Sequence, residues 1–260
     1  DGQLVGMTYE RDQDVVAWHR HHVGGATAET EHGIVESVAV VPGLSRDELW
    51  LIVRREIGGE TRRYVEQLAP VFDSVTMEAG VGEAFFVDSG LSYIATPVAV
   101  TGATNADPVV VAAPSHGVPE GALVRFSGIG GMIELNGPTF RAVDCTDDSF
   151  ALETPKGVAI DGGAFGTFTA GGTVRLLASS VAGLDHIEGE SVAILGDGAV
   201  YPRQTVSGGT VSLANGGSAA VIHVGLPFSA VARTLRPEAG GADGTAQGRR
   251  KRVHKIVLRL

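Results

Sequence analysis

The chain has 260 residues, 37 of them glycine, with 6% aromatic residues and one cysteine. That length accommodates one large or two modest domains with a sizeable core. A single cysteine excludes an internal disulfide framework and any Cys-based zinc site. The formal charge of −10 is uneven: residues 249–260 hold Arg249, Arg250, Lys251, Arg252, Lys255 and Arg259 with no acid, leaving 14 basic against 30 acidic residues elsewhere, a net of −16. A body this acidic repels nucleic acid rather than gripping it. The basic end reads as a solvated strand end after a flexible loop. No run approaches the roughly 18 apolar residues of a membrane span, and no charged region precedes an apolar segment at the start. The chain opens on Asp1-Gly2 and stops inside an apolar run, so it is expected to be a piece of a longer protein.

Val, Ser and Thr recur in short runs between glycines, and nothing keeps the i, i+3, i+4 spacing of a helix, which predicts an all-β protein with many tight turns. Residues 3–9 and 15–22 predict a hairpin about the polar turn Glu10-Arg11-Asp12-Gln13-Asp14. Gly24-Gly25 and a polar loop, 26–33, follow, and a third strand at 34–41 ends at Pro42-Gly43. Residues 49–56 and 61–68 predict a second hairpin about Gly58-Gly59, giving five antiparallel strands in 1–68. Residues 69–93 are less regular, with a broken strand at 85–88 and 91–93, and Val81-Gly82-Glu83 belongs to no element. From about Pro97 short strands at 98–101, 109–113, 123–127, 140–143 and 149–152 run up to a Gly-rich close at 161–172. Their spacing of about 8–12 residues is that of a small β-barrel. Strands at 174–177, 191–195, 205–213 and 219–225 follow, punctuated by Gly-Asp-Gly and Gly-Gly turns. The loop 237–248 is too polar and Gly-rich to order by itself, and 252–260 is the final strand.

The most distinctive word is Gly183-Leu184-Asp185-His186-Ile187-Glu188-Gly189. Asp185, His186 and Glu188 with Ser179, Ser180 or Ser191 supply the residue types of a hydrolase triad. There is no Gly-x-Ser-x-Gly elbow, and types alone do not make a triad. The flanking glycines imply a turn whose backbone those side chains brace. His19 and His21 share a strand face and, with His22 and His32, suggest metal, but no third ligand or carboxylate pair completes a set. Asp147-Asp148, adjacent in one turn, do not face each other across a cleft as glycosidase acids must. Gly128-Ile129-Gly130-Gly131 lacks the helix and the Gly-Lys-Ser/Thr ending of a phosphate loop. Cys145 has no basic neighbour to activate it and reads as an inert, half-buried thiol. Tyr9, Trp18, Trp50 and Tyr64 could stack sugars, but at strand positions they read as core or interface. The expectation is no catalytic residue, no cofactor and no metal.

Two long stretches carry a resemblance. Residues 1–21, from Asp1-Gly2-Gln3-Leu4-Val5-Gly6-Met7-Thr8-Tyr9 to Val16-Ala17-Trp18-His19-Arg20-His21, are followed by Val35-Glu36-Ser37-Val38-Ala39-Val40-Val41-Pro42, 49–55 and Arg63-Tyr64-Val65-Glu66. Together these resemble the tail nozzle (tail tubular, stabilisation) proteins of short-tailed bacteriophages and related prophages. Gly183–Gly189 with 192–198, and 255–260, resemble the same family further along, so the likeness covers about 1–93 and 178–260. Between them, 109–113, Ser115-His116-Gly117, Gly121-Ala122-Leu123-Val124, 128–132 and Glu134-Leu135-Asn136-Gly137, with Phe140 and Ser149-Phe150, resemble a β-barrel module. That module is known in phage proteins and is similar to the first catalytic-cysteine half-domain of ubiquitin-activating enzymes; it lacks their catalytic cysteine, and Cys145 does not stand in for it.

The resemblance implies a tail-protein body at 1–96 and 178–260, with propeller-like or sandwich sheets, interrupted by an inserted small β-barrel at 97–177. It implies a non-catalytic structural subunit of a phage tail, assembled in the host cytoplasm and resident in the virion. Its partners would be other copies of itself in a ring, tail tube or adaptor proteins and fibre proteins, with DNA passing transiently along a lumen that an acidic wall keeps from sticking. Loops 24–33 and 237–248 would order on neighbouring copies. One alternative is a carbohydrate-binding or host-adhesion module with 97–177 as the recognition domain. Another is an envelope hydrolase acting through Asp185 and His186.

Overall fold

The glycine spacing decides where strands stop, and the β-branched runs between glycines decide where they form. The computed structural model describes residues 2–44, 46–70 and 80–231, and among them regular structure consists of strands and short 3-10 turns, with no α-helix. Strands β1 (Leu4–Glu10) and β2 (Val15–His21) form an antiparallel hairpin that pairs Met7 with Trp18 and Tyr9 with Val16. Strands β3 (Ile34–Pro42), β4 (Asp47–Ile57) and β5 (Glu60–Gln67) form a three-stranded sheet in that order. Gly58 and Gly59 take φ of 62° and 79° between β4 and β5, the two-residue reversal that side-chain-bearing residues resist. β4 serves two cores. Leu51 and Val53 pack with Val23, whereas Ile57 joins the larger cluster of Leu184, Ile187, Ile194 and Ile222.

Strand β6 (Asp88–Ile94) precedes a seven-stranded sheet drawn wholly from residues 98–176. Its strands are β7 (Val98–Ala99), β8 (Gly102–Ala103), β9 (Val110–Ala112), β10 (Leu123–Ser127), β11 (Thr139–Val143), β12 (Ser149–Glu153) and β13 (Thr173–Leu176). Their order is β7-β13-β10-β11-β12-β9-β8, every pairing antiparallel. The two edge strands are neighbours in the chain, so residues 98–103 run along both ends of the sheet. Phe126, Phe140 and Phe150 fill its core, with the Phe126 and Phe150 rings stacked at 6.3 Å. No closed barrel and no propeller is detected among the described residues.

Strands β14 (Ser180–Ala182) and β17 (Thr210–Ser212) pair with each other, while β15 (Ser191–Gly196), β16 (Ala199–Thr205) and β18 (Val221–Leu226) join β6 in the order β16-β15-β18-β6. A strand from before residue 98 thus pairs with one from after residue 176. β18, flanked on both sides, is buried along its whole length. The Ala95 N–H donates to the Ala220 carbonyl at 2.8 Å and the Ala178 N–H to the Ala219 carbonyl at 3.0 Å. The chain therefore leaves at Ala95 and returns at Ala178 onto consecutive residues. Asp197 ties this junction together. It occupies the left-handed region (φ 47°) of the Asp197-Gly198 turn, and its carboxylate accepts the N–H groups of Ala220 and Val221, at 3.0 and 2.9 Å, and Arg125 of β10 at 2.6 Å. Tyr93 adds a hydroxyl donation to the Leu176 carbonyl at 3.1 Å.

The expectations differ from this at particular points. β6 is continuous from Asp88 rather than broken, and Phe85 lies outside it with its ring against His223. Residues 80–83 form a 3-10 turn. The run expected at 205–213 is two pieces, because Gly208 and Gly209 both take positive φ and turn the chain between β16 and β17. Loop 24–33 is pinned by its own chain: Arg55 donates to the Gly24 carbonyl, Glu56 to Ala26, and Thr27 to Thr30. The loop 237–248 and the strand 252–260 lie outside the described residues. The described residues up to Phe228 belong to one compact unit.

Replacing Asp197 with Ala leaves two buried N–H groups and Arg125 without their acceptor, and is expected to cost about 2–4 kcal/mol of unfolding free energy. Asp197→Asn keeps the left-handed turn and one acceptor oxygen and should cost clearly less. Urea unfolding of both variants beside the parent chain measures this.

Candidate functional site

The Gly183–Gly189 word folds into a 3-10 turn, Asp185–Ile187, whose Leu184 and Ile187 are fully buried and anchor it from below. His186 Nε2 lies 2.7 Å from the Ser89 carbonyl; a carbonyl only accepts, so Nε2 carries the proton. The Tyr64 hydroxyl donates to the His186 carbonyl at 2.6 Å. Glu188 accepts the N–H groups of Gly208 and Gly209 at 3.0 and 2.8 Å. Asp185 lies over Gly209, where a Cβ would sit 2.5 Å from its Oδ1 and where φ is +65°. The three polar side chains of the word are thus directed at backbone. Ser179, Ser180 and Ser191 have no hydrogen bond to His186 among the described residues.

The histidines divide into two pairs. His19 and His21 meet edge to face at 4.8 Å, and His22 meets His32 at 5.1 Å. Burial and the neighbouring His19 hold the His21 pKa below its usual value. No group of three or more His, Cys, Asp or Glu side chains suited to a metal ion occurs among the described residues. At Gly128-Ile129-Gly130-Gly131 the backbone is already engaged. The Ile129 N–H donates to Asn136 Oδ1 and the Gly130 N–H to the Ala170 carbonyl.

Among the described residues a hollow opens beside Cys145. It holds about 580 Å³ and is bordered by Ser115, His116, Val118, Cys145, Thr146 and Asp147. His116 Nδ1 accepts the Val118 N–H at 2.9 Å, so the ring proton sits on Nε2, which is buried without a hydrogen-bond partner. Asp148 turns away and accepts the Ser115 N–H. Glu120 accepts the N–H groups of Asp144 and Cys145, and those bonds, the Cys145 one foremost, hold its pKa down. Burial first, and the Glu120 charge second, push the Cys145 thiol up to about 11.

Four arrangements escape a reading by residue type. Arg55 is fully buried, donating to the Gly24 carbonyl, pairing bidentately with Glu66 and lying 5.6 Å from the Tyr64 ring centre. Asp88 accepts the Gly24 N–H; burial raises its pKa, and the Gly24 hydrogen bond and Arg55 pull it back. Buried His223 meets the exposed Ser92 hydroxyl at 2.6 Å through Nδ1. The Gly24-Gly25 pair, where a Cβ on Gly25 would come within 2.7 Å of Arg55 Cδ, was the available signal for the first two. The last arrangement is a surface. Trp18 and Tyr9, weighed as sugar platforms, are 70% and 62% exposed, and Val5, Met7 and Val16 beside them are at least half exposed. Trp50 donates to Glu48, while Tyr64 is committed to the His186 turn. No family model matches the chain, and no curated protein matches it.

Two outcomes follow from this geometry. His186→Ala is expected to lower unfolding free energy by about 1–2 kcal/mol through the lost bond to Ser89, read by thermal or urea unfolding. Cys145 at pH 8 should alkylate about 100-fold more slowly than an unperturbed thiol, and Glu120→Gln should speed it; iodoacetamide rates followed by mass spectrometry across pH 8–11 measure both.

Proposed function

We propose that this chain is a non-catalytic structural subunit of a short-tailed phage or prophage tail, in the nozzle or tube along the DNA exit path. In this reading residues 97–177 are an inserted, barrel-like module and 1–96 with 178–260 form the tail-protein body. The observation that carries it is the surface of the amino-terminal sheets. Ordered strands there present apolar faces to solvent, with Trp18 and Val65 both 70% exposed, in the stretch that resembles tail nozzle proteins. Contiguous exposed apolar faces on ordered strands mark surfaces that other proteins cover. Neighbouring copies, adaptor and fibre proteins are the partners, and the acidic body lets DNA pass without adhering. His186 and Glu188 of the Gly183–Gly189 turn fit this reading as braces: they hold backbone at Ser89, Gly208 and Gly209 rather than each other.

A second reading, glycan or host-surface recognition by 97–177, is favoured by the hollow beside His116 and Cys145, whose volume falls within the range of small-ligand sites. Cryo-electron microscopy of the parent particle separates the two. Density for this chain in a ring of the tail is the expected result; a chain found free in host cytoplasm, with no particle genes beside its own, overturns the proposal. Graded binding of the whole chain on a glycan array would support the second reading, and uniformly flat binding would retire it.

A further inference from the structure

The register of the amino-terminal strands sets two matching surfaces on one chain. On β2, Val16, Trp18 and Arg20 are spaced two residues apart, and the pairing of β1 with β2 places Tyr9, Met7 and Val5 beside them in that order. On β4, Glu48, Trp50, Ile52 and Arg54 are spaced likewise, an acid, two apolar residues and an arginine. There the pairing brings Val41, Ala39 and Val65 onto that face. Alternate residues of a strand share a face, so Val16, Trp18 and Arg20 line one surface as Glu48, Trp50, Ile52 and Arg54 line the other. The β4 face points away from the core that Leu51 and Val53 fill on the other side of the sheet. Both apolar stripes are open: Met7 is 50%, Trp18 70%, Val41 43% and Val65 70% exposed.

We infer that the β1–β2 hairpin of one copy lies antiparallel on the outer β3–β5 face of a second copy. Arg20 then meets Glu48, Trp18 packs against Trp50, and Val16 lies over Ile52. Glu48 already accepts the Trp50 indole N–H, and Arg54 is shared with Glu29 and Glu36, so both ends are held in place before contact. A two-fold contact of hairpin on hairpin would leave the β3–β5 face bare and Arg20 without a facing acid on the strand. The head-to-tail contact covers both faces of every interior copy with a single interface, and such heterologous contacts propagate into rings or filaments. Arg20 faces Glu48 in this direction and Arg54 in the reverse one, so charge favours the antiparallel contact and disfavours its reverse. This inference rests on the structural-subunit reading and gives it its subunit contact.

Sedimentation velocity of the purified whole chain over a concentration series tests it. The parent chain should form assemblies larger than dimers; a chain that stays monomeric at about 100 µM overturns the inference, since so weak a contact builds no assembly. Trp18→Ser and Val65→Glu, both at exposed positions, should each weaken association by about tenfold or more. An equimolar mixture of the two retains one good hairpin and one good sheet face and should stop at a 1:1 dimer. Arg20→Glu and Glu48→Arg should each weaken assembly, and the double variant should restore it. Loss with Trp18→Ser but none with Val65→Glu, or a mixture no better than its components, overturns the head-to-tail contact. Circular dichroism of each variant separates lost contact from lost fold. Self-association is read without the particle, so an empty tail ring in microscopy would sink the tail reading while leaving this result standing.

Discussion

Much of the molecule hangs on one carboxylate. Asp197 sits at the tip of the β15–β16 turn in a backbone conformation that few side-chain-bearing residues tolerate, and from there it accepts two backbone N–H groups at the start of β18 and the Arg125 guanidinium of the seven-stranded sheet. Each role constrains the others. The turn fixes where the carboxylate points, the N–H groups fix where β18 begins, and Arg125 fixes where the sheet of residues 98–176 meets the four-stranded one. Charge-assisted bonds in a partly buried place are among the stronger polar contacts available to a fold. Here they stand where an apolar junction would be small, since Ala95, Leu177 and Ala220 are its buried residues.

A second polar knot holds the amino-terminal sheets. Arg55 is entirely buried, which is tolerable because its guanidinium finds Glu66 on β5 and the Gly24 carbonyl, and its face lies against Tyr64. Tyr64 in turn reaches the His186 carbonyl, and Asp88 of β6 holds the Gly24 N–H. The Gly183–Gly189 turn is therefore connected through two side chains to the strand that buries the arginine. Its His186 and Glu188 side chains are bonded to backbone from other parts of the chain.

Strands were legible wherever a glycine or proline bounded a β-branched run, as at residues 123–127, where the expected and observed limits coincide. They were less legible where pairing partners set the length. β6 is continuous because β18 offers it a ladder, and no local residue announces that. The split of residues 98–103 into two short pairings is likewise decided by which strand lies on each side. Within the Gly183–Gly189 word, the flanking glycines indicated a turn, and a 3-10 turn is found at Asp185–Ile187. Arg55 and Asp197 were not singled out, because a charged residue in a strand or turn looks like a solvated one until its partners, 31 and 72 residues away in sequence, are placed beside it. Exposure of Trp18 was likewise invisible: an alternating strand indicates that one face is apolar, not that the face is left uncovered.

The adjacency of Ala95 and Ala178 has a topological meaning. Both grip consecutive residues of one strand, so the two ends of the intervening excursion lie about 10 Å apart, two strand spacings. Closing a gap of that size costs nearly the same whatever the length of chain that spans it. The chain at residues 219 and 220, leading into β18, thus closes the excursion at both ends, whatever the length of chain between them, while β6 and β15 keep their pairing with β18.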